Sequence, residues 1–283
     1  MASTMKTLTG LNRIRNALPL TSMVHVDAHV QRNADARWNT FSSQDYLQRN
    51  YHELQAEDEE IIRRVSQFFT TAFRGRPGAR RGIDVGSGPN LYPALLMLPW
   101  TEQILLTDFA VNNVHYLRAQ LADYGAAWAW QPFWDVLREA ERYNEIDNPR
   151  KHLQVACHDE PGFAGVEQGS VFSLPEARWD LGTMFFVAES ITEDRGEFHA
   201  ALARFVGALK PGAPFATAFM AGSHGYLVAE TKFPALPITP DDVRRDFTEL
   251  GVGELSVEHL LTEHRVRDGY EAMIVATGVV RDS

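Results

Sequence analysis

The stretch Arg81–Phe109, RGIDVGSGPNLYPALLMLPWTEQILLTDF, decides the fold. Its apolar run Gly82–Val85 reads as a buried strand, followed at once by Gly86-Ser87-Gly88. Pro89–Leu98 reads as a helix, with its proline in the first turn, where a missing N–H is tolerated. Gln103–Thr107 is a second strand, and Asp108 stands at its end. Strand, glycine turn, helix, strand and terminal acid outline a nucleotide-binding βαβ unit. In such units the glycines let backbone approach the ligand, and an acid about twenty residues on receives ribose hydroxyls. Asp108 lies 20 residues after Gly88.

The loop also bears on which nucleotide it suits. A dinucleotide fingerprint would place a third glycine at position 91, where this chain has the bulky Leu91. No Gly-Lys-Ser/Thr follows the glycines, so a Walker-type phosphate loop is absent. A ligand with ribose and adenine but no phosphate fits better, and S-adenosylmethionine is the common one. Two rival readings stay open at this point. One is a nicotinamide-dependent oxidoreductase, opposed by Leu91; the other is a non-catalytic binding or interaction protein that keeps the same fold.

Outward from this unit the alternation continues. Val111–Tyr124 and Trp128–Tyr143 read as helices, the second interrupted by Pro132. His152–Cys157 reads as strand three, Leu181–Val187 as strand four, and Glu193–Leu209 as a helix stopped by Lys210-Pro211-Gly212. Pro214–Phe219 is strand five, and Thr239 caps a helix over Asp241–Leu250. Two strand-like runs, Leu255–Glu263 and Glu271–Val280, flank an Asp268-Gly269 turn. The expected fold is α/β: a doubly wound, mostly parallel Rossmann-like sheet with an antiparallel strand added at one edge. Upstream, residues 1–40 read as an irregular arm, and Ser42 or Ser43 caps a short helix ending at Tyr51. Glu57–Arg74 is an amphipathic helix, with Ile61, Ile62, Val65, Phe68 and Phe69 on one face. The expected division is an arm and helical lid over residues 1–75, then a binding core over 76–283.

Composition narrows the partners. The chain has 283 residues and a formal net charge of −10, which argues against nucleic acid as a partner, since phosphate binding needs clustered Lys and Arg. The single cysteine, Cys157, leaves no intramolecular disulfide and no thiolate metal cluster, and reads as a core residue. No run of about twenty apolar residues suggests a membrane span, and the N-terminus lacks the long apolar segment of a secretory signal. A cytoplasmic monomer or homodimer acting on a small molecule is the expectation.

Four motifs, in order, resemble one family. They are DYLQRNY (Asp45–Tyr51), IDVGSGPNLY (Ile83–Tyr92), TDFAVNN (Thr107–Asn113) and the long segment LKPGAPFATAFMAGSHGYLVAETKFPALPITPDDV (Leu209–Val243). Together they resemble the phenylethanolamine, nicotinamide and indolethylamine N-methyltransferases, from about Trp38 to the C-terminus. The resemblance implies a class I methyltransferase fold and S-adenosylmethionine as methyl donor, with S-adenosylhomocysteine as product. It implies that Gly86, Ser87 and Gly88 pass along the methionine part of the donor. Tyr46, Tyr51 and Tyr92 would contact its carboxylate and the lid, Asp108 its ribose, Phe109 its adenine, and Asn113 its ribose or methionine end. Asp159, with Glu160 beside it, would meet the adenine amino group after strand three.

On the acceptor side the resemblance points to Glu189, as an anchor or a base acting through water, and to Tyr46, Asn50 and Tyr226 around the substrate. Asp268 falls near a second amine-contacting acid of some members. Phe185 and Phe186 on strand four, with Tyr226, suggest an aromatic acceptor. One departure matters. Where phenylethanolamine-type members carry a second glutamate, three residues before the pocket tyrosine, this chain has Ser223. That tilts the expectation toward a neutral aromatic acceptor, methylated on nitrogen or on an electron-rich carbon such as indole C3, as in natural-product assembly. His224 is a further candidate base.

Overall fold

The computed structural model describes residues 30–122, 128–261 and 270–281. In chain order its elements are α1 (Ser43–Tyr51), α2 (Ala56–Ala72), β1 (Ala79–Val85), α3 (Tyr92–Met97), β2 (Thr101–Asp108) and α4 (Val111–Ala122). Next come α5 (Gln131–Leu137), α6 (Glu141–Asn144), α7 (Pro149–Ala156), β3 (Val166–Gln168), β4 (Leu181–Phe185), α8 (Arg195–Ala208) and β5 (Pro214–Ala221). The short hairpin β6 (Tyr226–Val228) and β7 (Thr231–Phe233) precedes α9 (Pro240–Glu249), β8 (Gly253–Leu261) and β9 (Ala272–Val279).

Seven strands form one sheet in the order β3-β2-β1-β4-β5-β9-β8. The first five are parallel, and Ile83 on β1 sits between Leu105 of β2 and Gly182 of β4. β9 runs antiparallel between β5 and the edge strand β8. The expected mostly parallel sheet with an antiparallel hairpin at one edge is therefore present. Its turn, with Asp268, lies outside the described residues. Strands β4, β5 and nearly all of β9 are buried, which explains their largely apolar sequences, while the buried part of β1, Gly82–Val85, encloses the carboxyl of Asp84. Ile61, Ile62 and Val65 of α2 join Leu95 and Leu96 of α3 in one core face. Phe198 and Phe205 of α8 and Phe247 of α9 pack with Phe215 on the other. Among the described residues no helix is long and apolar enough to cross a membrane.

Two sequence expectations are corrected. His152–Cys157 is not a strand: it lies in α7 and its C-cap, and Asn148 caps that helix by accepting from Lys151 N at 2.9 Å, with Pro149 in the first turn. The third strand is instead the three-residue β3, paired with β2 through Thr107 and Glu167. The stretch 128–143 likewise splits into α5 and α6. Of the two cap candidates for α1, Ser42 takes the role, accepting from Asp45 N at 3.2 Å, as expected.

The sheet order reverses between β1 and β4, and the crevice beyond their carboxyl ends is where ligands bind in such folds. Asp84 lies just below it, buried, with Oδ1 accepting from Thr183 Oγ1 at 2.7 Å. Its Oδ2 has no hydrogen-bond partner among the described residues. Burial pushes this carboxyl up to about 7, with the hydroxyls of Thr183 and Ser87 pulling the other way. The folded protein therefore holds an extra proton between the unfolded value of 3.8 and about 7. The associated stability is complete below that window and is lost as pH rises through about 7, at roughly 1 kcal/mol per pH unit. Asp84→Asn should flatten this slope in thermal unfolding followed from acid to neutral pH. Identical slopes in the two proteins would mean Asp84 does not titrate there.

Candidate active site

The glycine turn is built from backbone that only glycine takes without strain. Gly86 and Gly88 have φ of +65° and +57°. The turn is stitched down by Ser87 N donating to Thr107 O (3.0 Å) and Ser87 Oγ donating to Asp84 O (3.1 Å). A Cβ on Gly88 would meet nothing nearer than 3.9 Å, so its backbone stands open to the cleft. Asp108, at the end of β2, collects three donors. Gly88 N reaches Oδ2 at 2.8 Å; Ala110 N and Asn113 Nδ2 reach Oδ1 at 2.8 and 3.1 Å. Burial raises the Asp108 carboxyl above the usual range, and these three hydrogen bonds oppose the shift. A carboxylate has about four acceptor positions, so one stays available, on Oδ2 beside the glycine turn.

A cleft of about 800 Å³, its open mouth included, extends from this turn under the arm and α1. Its far wall is aromatic. Trp38 stacks on Phe233 at 5.1 Å between centroids, Phe233 stacks on Tyr226 at 5.6 Å, and Tyr46 meets Tyr226 edge-on at 6.4 Å. Tyr226 is held by its hydroxyl, which donates to Ser190 O at 3.2 Å. Phe186, the residue after β4, closes the side with φ of +59°, a strained conformation for a residue with a side chain. Among the described residues, Asp108 is the only acidic or basic side chain lining this cleft.

The model of the NNMT/PNMT/TEMT family matches residues 29–276. The chain belongs to this family. Among its curated relatives, the indolethylamine N-methyltransferase of Mus musculus is 25% identical, over 75% of this chain and 81% of that protein. The nicotinamide N-methyltransferase of Sus scrofa is 25% identical over 80% and 86% of the two chains. The phenylethanolamine N-methyltransferase of Bos taurus is 26% identical over 65% of each. In fold, the chain resembles magnesium protoporphyrin IX methyltransferase from Synechocystis PCC 6803 with bound SAH (TM-score 0.50, 12% identity, 87% of this chain and 96% of that one). The family assigns the chain as an S-adenosylmethionine-dependent small-molecule methyltransferase.

Within this methyltransferase the residues read from sequence divide clearly. Tyr46, Tyr51, Gly86, Ser87, Gly88, Asp108, Phe109, Asn113, Phe186 and Tyr226 all line the cleft. Others do not. Tyr92 is fully buried, stacked on Phe133 with its hydroxyl donating to Asp58 Oδ1 at 3.0 Å, and burial raises its pKa. Asp159 and Glu160 are exposed at the amino end of β3. There Asp159 Oδ1 accepts from Gly165 N at 2.8 Å and Glu160 accepts from Gln103 Nε2. They followed the misplaced strand, and they sit at the opposite end of the sheet from the cleft.

The acceptor-side candidates move as well. Glu189 is fully buried, its Oε1 accepting from Met220 N at 2.9 Å and Ser190 Oγ at 3.1 Å, so it ties the β4 exit to β5 and stays out of the cleft lining. Asn50 is buried and donates to Tyr46 O at 2.7 Å, bracing α1 behind Tyr46. His224 is exposed, and it too is outside the lining. Asp268 lies outside the described residues. Sequence reading missed Trp38 and Phe41 of the arm, Ile191, and Gly169-Ser170-Val171 beyond β3. The last three had a signal, small residues after Val166–Gln168, but that strand is too short to show a period.

Proposed function

We propose that this enzyme transfers a methyl group from S-adenosylmethionine to a neutral aromatic acceptor. The observation that carries the reading is the lining: aromatic walls at the far end, and no carboxylate, imidazole or ammonium besides Asp108 among the described residues. A cationic arylalkylamine would need both a counter-charge and a group to remove its proton before it could attack. A heteroaromatic nitrogen or an electron-rich ring carbon needs neither.

The donor end fits the same reading. Gly86-Ser87-Gly88 offers open backbone for the amino-acid end, and the remaining Oδ2 position of Asp108 suits a ribose hydroxyl. Phe109, half exposed at the rim, and Ser170 lie toward β3, on the side where the purine would extend. The bound donor supplies a methyl already activated on a sulfonium. The protein then orients and excludes water: Tyr46 and Tyr51 cover the crevice, while Phe186 and Tyr226 offer aromatic surface to a planar ring.

A methyl-transfer screen over pyridines, indoles and arylalkylamines, with NMR location of the new methyl, tests this. Neutral heteroaromatics should turn over fastest, with rates nearly flat from pH 7 to about 9. Faster transfer to arylalkylamines, with a rate climbing toward the amine pKa, would refute the acceptor reading. Tighter binding of NAD than of S-adenosylhomocysteine in calorimetry would refute the donor reading.

A further inference from the structure

The arm and α1 are fastened to the core at two adjacent residues in different ways. Asn112 Nδ2 donates to the backbone carbonyls of Asn39 (3.2 Å) and Phe41 (3.1 Å). Its neighbour Asn113 instead joins α1 to the donor site. Ser43 Oγ donates to Asn113 Oδ1 at 2.6 Å, Asn113 Nδ2 donates to Asp108 Oδ1 at 3.1 Å, and Gly88 N donates to Asp108 Oδ2 at 2.8 Å. Ser43, Asn113 and Asp108 are all buried.

The polarity of this chain is forced. An ionised Asp108 only accepts, so Asn113 must turn its amide nitrogen toward it. That leaves Asn113 Oδ1 facing Ser43, and residue 43 must then be a donor. Consecutive donations ending on a charge strengthen one another. Asn112 holds the arm regardless of what the donor site contains; Ser43 holds the first turn of α1 to the same carboxylate that would receive the ribose. Tyr46 and Tyr51, which cover the cleft, are on that helix.

We propose that Ser43 is a positioning residue that couples docking of α1 to occupancy of the donor site. It does so through Asn113 and Asp108. This rests on the donor reading above. In the full chain, amide hydrogen exchange of Ser43–Tyr51 is followed with and without S-adenosylhomocysteine. Wild type should show exchange slowed about fivefold or more by the ligand, the lower end of a typical coupling energy. Ser43→Ala should bind the ligand yet lose most of that slowing, and Ser43→Thr should restore it. Asn112→Ala should speed exchange equally with and without ligand, as a purely structural fastening would.

Ligand-dependent slowing in Ser43→Ala equal to wild type overturns the proposal while leaving the donor reading intact. Absence of S-adenosylhomocysteine binding in wild type overturns both. If Ser43→Ala loses ligand binding altogether, restoration by Ser43→Thr supports the coupling and failure of that rescue overturns it.

Discussion

Asp108→Ala should lose about 100-fold or more of the affinity for S-adenosylhomocysteine, measured calorimetrically. Two losses combine. The ribose would forfeit a hydrogen bond to a charged acceptor, which contributes about 1.5–3 kcal/mol. The glycine turn would also lose its anchor, because Gly88 N, Ala110 N and Asn113 Nδ2 all point at this one carboxylate. Together these exceed the roughly 2.7 kcal/mol that a 100-fold change requires. The apo protein should suffer less, since donors freed at the cleft can turn to water. A variant that unfolds readily but binds normally when folded would make Asp108 a structural residue, and the ribose would then belong elsewhere.

The donor half of the site was legible because its signals are local. Gly86, Gly88 and Asp108 sit at fixed offsets around a buried strand, and those offsets follow from the chain path itself. The limits of β1, β2, β4, β5 and α8 came within a few residues of expectation for the same reason: long apolar runs bounded by breakers. Reading failed where an element was short. LQVAC in 153–157 alternates like a strand, yet Asn148-Pro149 opens a helix that carries it, while β3 has only three residues and one buried side chain. That slip displaced Asp159 and Glu160 into a site they do not reach. The acceptor half was less legible because it is assembled from distant segments. Trp38, Tyr46, Phe186 and Tyr226 line one cleft, with Phe233 packed behind Trp38 and Tyr226, only once the sheet and the β6–β7 hairpin exist. Glu189 shows the converse: a carboxylate in the matching sequence position whose side chain turns inward to Met220 N.

Gly86→Ala should destabilise the protein by about 3 kcal/mol or more and abolish donor binding with it. The new Cβ would stand 2.6 Å from Val187 Cγ2 and 2.9 Å from Val187 Cγ1. Valine cannot swing aside cheaply, because its branched side chain has few rotamers and Val187 is buried. The turn cannot relax either: Ser87 is tied to Thr107 O and Asp84 O, and the residue at 86 must keep φ near +65°. That conformation alone costs an alanine roughly 1–2 kcal/mol. The two contributions separate in a double mutant. Val187→Ala by itself should cost about 1–2 kcal/mol by opening a small cavity. Combined with Gly86→Ala it deletes both clashing carbons, and the new methyl fills part of the space they left. The pair should therefore be more stable than Gly86→Ala alone, retaining mainly the φ cost. Chemical denaturation of the four proteins gives the coupling energy directly. Additive losses would mean Val187 is not what excludes a side chain at position 86, and that the glycine is required by its backbone angle alone.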